Sequence, residues 1–208
     1  MIERRPRLRV AAAWSALILA MMVPVALAAF SPWLAYRGPA YIIGGFAGIV
    51  GLALLLAQPL LAAGLLPGAR PAVERRWHRW LGWAILTAIA IHVGGLWITS
   101  PPDTVDALLF VAPTTFSIYG VTAMWAGIVT AVLVAARRRM GLRYGTWRLV
   151  HNAVALVVVI GTVVHAVQIQ GAMEPVSKWA LCAAVLAAAL ITVLGLRVVA
   201  PLVRRARG

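Results

Sequence analysis

The sequence is poor in the residues that build most soluble enzyme sites. Its 208 positions hold one cysteine, five acidic residues and four histidines. A lone Cys182 inside an apolar run excludes an intrachain disulfide and a CxxC metal or redox site, and reads as a small buried hydrophobe. No GxGxxG follows a strand pattern, and no soluble stretch is long enough for a dinucleotide-binding fold. Charged residues make up 12% of the chain, about half the usual ~25% of globular domains.

What is present in excess is apolar. Hydrophobic residues reach 63%, against roughly 45–50% in soluble domains, and mean hydropathy is +0.93. A water-soluble domain of this length has no way to hide that much apolar surface, so lipid is the expected solvent for most of it. Apolar runs long enough to cross a ~30 Å hydrocarbon layer cover about 10–30, 41–66, 78–99, 118–136, 149–169 and 179–202. The intervening segments SPWLAYRGP, LPGARPAVERRW, TSPPDTVD, RRRMGLRYGTWR and QGAMEPVSK are rich in Pro, Gly and charge, and read as loops. The fold class that follows is an all-α membrane protein, a six-transmembrane-helix bundle forming one domain over 1–208. The basic start of the first run, with Ala26-Leu27-Ala28 at its end, imitates a secretory signal. Its apolar core exceeds the ~7–15 residues typical of one, so an uncleaved span is expected.

The basic residues orient the bundle. Arg4, Arg5, Arg7 and Arg9 precede the first span, and Arg70, Arg75, Arg76 and Arg79 lie between the second and third. Arg137, Arg138, Arg139, Arg143 and Arg148 separate the fourth and fifth, and Arg197, Arg204, Arg205 and Arg207 close the chain. Only Arg37 and Lys178 fall in the alternate loops, with Asp103, Asp106 and Glu174. Seventeen against two predicts both termini on the cytoplasmic side. The formal charge of +14 is thereby a topology signal and calls for no nucleic-acid partner. Trp33, Trp77, Trp80, Trp147 and Trp179 sit near span ends, as interfacial aromatics do.

Ionisable groups inside spans are costly, so each is a candidate functional residue. All four histidines lie on the third and fifth spans, His78 and His92 on one, His151 and His165 on the other. Both intervals are fourteen residues, ~40° short of four full turns and a rise of about 21 Å, so each pair shares a helix face. The two spans run parallel, which makes His78 level with His151 and His92 level with His165. Facing imidazoles at one depth can supply both axial ligands of a haem iron, and here the arrangement occurs twice. The expectation is two b-type haems stacked across the membrane, held non-covalently since no CxxCH occurs. For a single membrane histidine, a polar helix contact or a proton relay is the competing explanation. Zinc fits poorly, because i, i+14 spacing without a nearby carboxylate or thiolate completes no tetrahedral site.

Other residues carry weaker signals. Arg79 and Arg148 flank the inner-side ligands, where haem propionates need cations, although topology arginines explain them equally. Gly82, Gly94, Gly95 and Gly161 lie near the histidines and suit either a macrocycle's approach or helix packing. Gly44, Gly45, Gly48 and Gly51 read as packing alone, and Met21, Met22 and Met124 as core filling. Asp103, Asp106 and Glu174 read as solvated loop charges.

With these residues in place, the sequence resembles the ferric reductase-like transmembrane domain family. That family includes the membrane parts of ferric reductases and NADPH oxidases, and the haem-binding membrane subunit of the periplasmic methionine-sulfoxide reductase. The resemblance covers roughly 41–178 and rests on RRWHRWLGWAILTAIAIH and YGTWRLVHNAVALVVVIGTVVH. It implies that His78 and His151 hold an inner haem and His92 and His165 an outer one. Electrons would enter from a cytoplasmic donor and reduce an acceptor outside, such as ferric iron, oxygen or a periplasmic protein. The expected setting is a bacterial inner membrane, crossed several times. Larger members continue into a flavin and nicotinamide domain that this sequence does not contain. The donor is then expected to be a separate flavoprotein reductase, a quinol, or a domain outside this chain. The methionine-sulfoxide reductase subunit, similar in size, usually lacks a histidine matching His78. A periplasmic-reductase subunit, a quinol-coupled cytochrome b and a haem-free six-span transporter with histidine proton relays remain as alternatives.

Overall fold

The computed structural model describes residues 4–193 and 195, with side chains from residue 7 onward. The side chains of Arg4 and Arg5, the arginines at 197, 204, 205 and 207 and the end of the sixth apolar run lie outside the described residues. The chain forms α1 (Arg4–Ala29), α2 (Pro39–Ala63), α3 (Pro71–Thr99), α4 (Pro101–Leu108), α5 (Thr115–Ala136), α6 (Tyr144–Gln168) and α7 (Pro175–Leu190), and no strand is found among the described residues. Six of these helices are long and apolar enough to span a bilayer. The exception is α4, only eight residues, which occupies a segment read from sequence as loop. Ser100, Pro101 and Asp103 explain it, since Pro at the first helical position and an acid in the first turn both favour a helix start. The same proline device opens α2, α3 and α7. It also starts α3 at Pro71, seven residues before the apolar run, so Arg75, Arg76 and Arg79 are helical and not in the loop.

Outward faces carry large apolar side chains that are well exposed, among them Ile18, Leu19, Ile43, Trp83, Ile98 and Leu149. Such surface over six helices is what a lipid environment covers. Lipid tails are as apolar as leucine, so helix association here relies on close packing and interhelical hydrogen bonds. The tightest approach joins α2 to α3. A Cβ on Gly95 would stand 2.6 Å from the Ala40 carbonyl oxygen and 2.7 Å from Gly44 Cα, so the crossing tolerates hydrogen alone. Gly161 plays the matching part between α6 and α5, where a Cβ would meet the Tyr119 carbonyl oxygen at 2.9 Å. Two antiparallel hairpins result, α2–α3 and α5–α6, with α7 and α1 packed along α2. Leu52, Leu181, Cys182 and Val185 fill the seam between α2 and α7.

The two ends of the bundle differ. At one end Trp14 Nε1 donates to the Pro67 carbonyl at 3.1 Å and its ring meets Trp77 edge-on, which ties α1 to the α2–α3 turn. Gly64 ends α2 in the left-handed conformation (φ 70°), and the fully buried Glu74 closes the same turn by accepting from Leu66 N–H at 3.1 Å. The arginine-rich α5–α6 turn lies at this end too, as the contact of His78 with His151 requires. At the other end Lys178 Nζ donates to the Ile169 carbonyl, and Glu174 caps α7 by accepting from Val176 and Ser177 N–H. Those backbone bonds hold the Glu174 carboxyl below the ordinary carboxylate range.

Candidate functional site

The hairpins bring α3 and α6 face to face without close backbone packing between them. The histidines meet across this gap. The His78 and His151 ring centres are 6.4 Å apart with planes at 73°, and those of His92 and His165 are 6.3 Å apart at 79°. Pairing by depth, which the fourteen-residue interval led us to expect, is therefore what the fold presents.

Each ring is oriented from behind by the other helix of its own hairpin, with one exception. His92 Nδ1 bonds the Gly44 carbonyl at 2.8 Å, His78 Nδ1 the Gln58 carbonyl at 3.2 Å, and His165 Nδ1 the Phe116 carbonyl at 2.8 Å. Gly44 and Gln58 are themselves fourteen residues apart, the histidine interval read back along the antiparallel partner. Four residues beyond Gly44 and Phe116 stand Gly48 and Gly120, each beneath an imidazole. A Cβ would come to 2.9 Å from His92 Nδ1 at Gly48 and 2.6 Å from His165 Nδ1 at Gly120. The reading of Gly48 as packing alone is thus corrected: it makes room for a histidine.

A carbonyl on Nδ1 fixes the tautomer with the proton on that nitrogen, leaving the Nε2 lone pair free. Among the described residues no hydrogen bond reaches Nε2 of any of the four. Helix packing alone leaves the second nitrogen of four half-buried imidazoles without a role, and a ligand on Nε2 would give it one. Two imidazoles on opposite sides of one metal atom, at metal–nitrogen distances of about 2.0 Å, put their ring centres roughly 6.3 Å apart, the spacing found at both levels. Among the described residues no three His, Cys, Asp or Glu side chains come together, as a tetrahedral zinc site needs. Two facing imidazoles suit a metal whose other ligands come with it, as in haem.

A family model described as Ferric reductase like transmembrane component matches residues 47–162, more than half of the chain and inclusive of His78, His92 and His151. The chain belongs to the ferric reductase-like transmembrane family. No curated protein and no solved structure gives a match. Members of this family generally bind haem, and the chain is a multi-pass integral membrane protein whose family is consistent with transmembrane electron transfer.

Within the family frame, the flanking residues separate. Arg79 is exposed and, one residue on from His78, points about 100° away around the helix. Arg148 is half-buried, three residues before His151 and so near its face, with its guanidinium 5.7 Å from the Tyr144 ring centre. Trp147, read as an interfacial aromatic, also has a partner among the candidate ligands. Its indole stacks on His151, with ring centres 5.1 Å apart and planes at 13°. The Gln58 amide also lies against His78. With its oxygen turned to Gly82 N–H (2.9 Å), its nitrogen stands 2.6 Å from His78 Nδ1. The opposite turn puts the amide oxygen on a protonated Nδ1, as a metal on Nε2 requires. Trp147, Gln58, Gly48 and Gly120 were absent from the sequence-derived site. Only Trp147, one helical turn before His151, had a signal in its spacing.

Proposed function

We propose that this protein is a transmembrane electron conduit carrying two b-type haems, one held by His78 and His151 and the other by His92 and His165. The supporting observation is the repetition of one imidazole pair at 6.4 and 6.3 Å on two levels of the same helices. The haems supply one-electron centres, and the chain sets their ligands, spacing and surroundings. Along α3 and α6 the levels are separated by a rise of about 21 Å. The arginine excess at the Trp14, Pro67 and Trp147 end supports a cytoplasmic position for that end, with His78/His151 as the inner pair. Arg148, near the His151 face, is the better placed cation for an inner propionate; Arg79 has the weaker claim. A cytoplasmic flavoprotein reductase or a quinol supplies the electrons, and ferric iron, oxygen or a periplasmic protein accepts them. The packing of Trp14 on the α2–α3 turn supports α1 being a retained span, and we take the setting to be a bacterial inner membrane.

A dithionite-reduced minus oxidised visible spectrum of the purified, folded chain tests this reading. A b-type signal is expected. Its absence from protein made with ample haem, together with a dependence on a proton gradient, would favour a histidine proton relay.

A further inference from the structure

Three of the four histidines have their Nδ1 on a backbone carbonyl, and His151 does not. Fourteen residues beyond Phe116 on α5, the matching position is Thr130, whose hydroxyl turns back to the Ala126 carbonyl at 2.8 Å. His151 Nδ1 is buried without a partner. What touches this ring instead is Trp147, nearly parallel at 5.1 Å. The indole is itself held from elsewhere. The Arg137 guanidinium lies 4.5 Å from its ring centre, and Tyr144 stacks on it at 6.2 Å. Trp147 Nε1 is also buried with no acceptor, so the ring stands where stacking places it and not where its N–H would be satisfied.

Resting on the two-haem reading above, we propose that Trp147 is the positioning residue of His151. By stacking, it does what a backbone carbonyl does for the other three histidines, and among the described residues no hydrogen bond at His151 Nδ1 shares that task. A carbonyl acceptor resists rotation of the imidazole about its side-chain torsions. A stacked indole blocks the same rotation by occupying the space the ring would sweep. Without the indole, His151 would leave the iron of a bound haem more readily, and a small neutral ligand would take its position. No electron is transferred in the exchange: one iron–nitrogen bond breaks and one iron–ligand bond forms. At the other pair two carbonyls still hold both rings, so the effect is confined to half of the haem.

The test uses the full chain in detergent or nanodiscs, reduced with dithionite, with carbon monoxide as the probe. Trp147→Ala is expected to speed carbon monoxide addition roughly two- to tenfold, the size of one aromatic contact, and only for half of the total haem. Trp147→Phe, which keeps a stacked ring, is expected to behave as wild type. Equal rates in Trp147→Ala and wild type, addition to both haems, or Trp147→Phe behaving like Trp147→Ala would each overturn the proposal. Should Trp147→Ala not fold, Arg137→Gln carries the test. A faster addition confined to one haem supports the assignment, and no change overturns it. Folded wild-type protein without a b-type spectrum would defeat the two-haem reading itself; a normal spectrum with an unresponsive Trp147→Ala defeats the positioning role alone.

Discussion

At the His92/His165 level both imidazoles are anchored at 2.8 Å to carbonyls of the neighbouring helices, and a glycine lies under each ring. At the His78/His151 level one imidazole has a longer bond of 3.2 Å with an adjacent glutamine amide, and the other has only an indole. The positions corresponding to Gly48 and Gly120 are here Ala62 and Val134. Two sites of the same spacing are thus built by different means. The first is fixed by backbone carbonyls, which side-chain truncations leave in place, and the second by side chains, which they remove. On the reading proposed above, the centre built by side chains is the one at the end where electrons would enter.

The largest expected effect is loss of a whole centre. His92→Ala and His165→Ala should each remove the same haem, and His78→Ala and His151→Ala the other, read as haem per chain and as the surviving spectrum. Loss of both haems from one folded variant would break the pairing by depth. Next come the glycines. Gly120→Ala drives a methyl to 2.6 Å from His165 Nδ1, and Gly48→Ala one to 2.9 Å from His92 Nδ1. Overpacking of this kind costs about 1–3 kcal/mol, so both should lower thermal stability and disturb only the His92/His165 haem, in its spectrum or retention.

How much of this was legible from the sequence follows from what each signal measures. Apolar runs locate bilayer, not helix. They therefore found six spans but missed the first two turns of α3, where Pro71 starts a helix that carries arginines, and all of α4. The histidine faces were legible because the interval of fourteen and the parallel direction of two spans need no knowledge of packing. What stands behind each ring depends on which helices meet and in what register. Gly48 and Gly120 on α2 and α5, and Gln58 beside Pro59, gave no such signal. In the finished fold, the Gly44–Gln58 interval shows that α2 is in register with α3.

A smaller effect sharpens the comparison at the second level. Gln58→Leu leaves the backbone bond to His78 but removes the amide, whose oxygen, turned to a protonated Nδ1 as a metal on Nε2 requires, would make the ligand more electron-donating. The midpoint potential of that haem alone should rise by some tens of millivolts, the size of one hydrogen bond, in a redox titration. The smallest effect belongs to neither level. Glu174→Ala removes the α7 cap and should lower the melting temperature without altering either haem. Because the Glu174 carboxyl is held below its ordinary value, its contribution is fully present at neutral pH. It fades as pH falls from the ordinary carboxylate range through that lowered value, so the wild-type and Glu174→Ala melting curves should converge in acid.

The most direct test of two unequal centres is haem quantitation joined to a potentiometric titration of the purified wild-type chain. The account predicts two b-type haems per chain, titrating as two separate one-electron steps. One haem per chain, or none in folded protein, would contradict it.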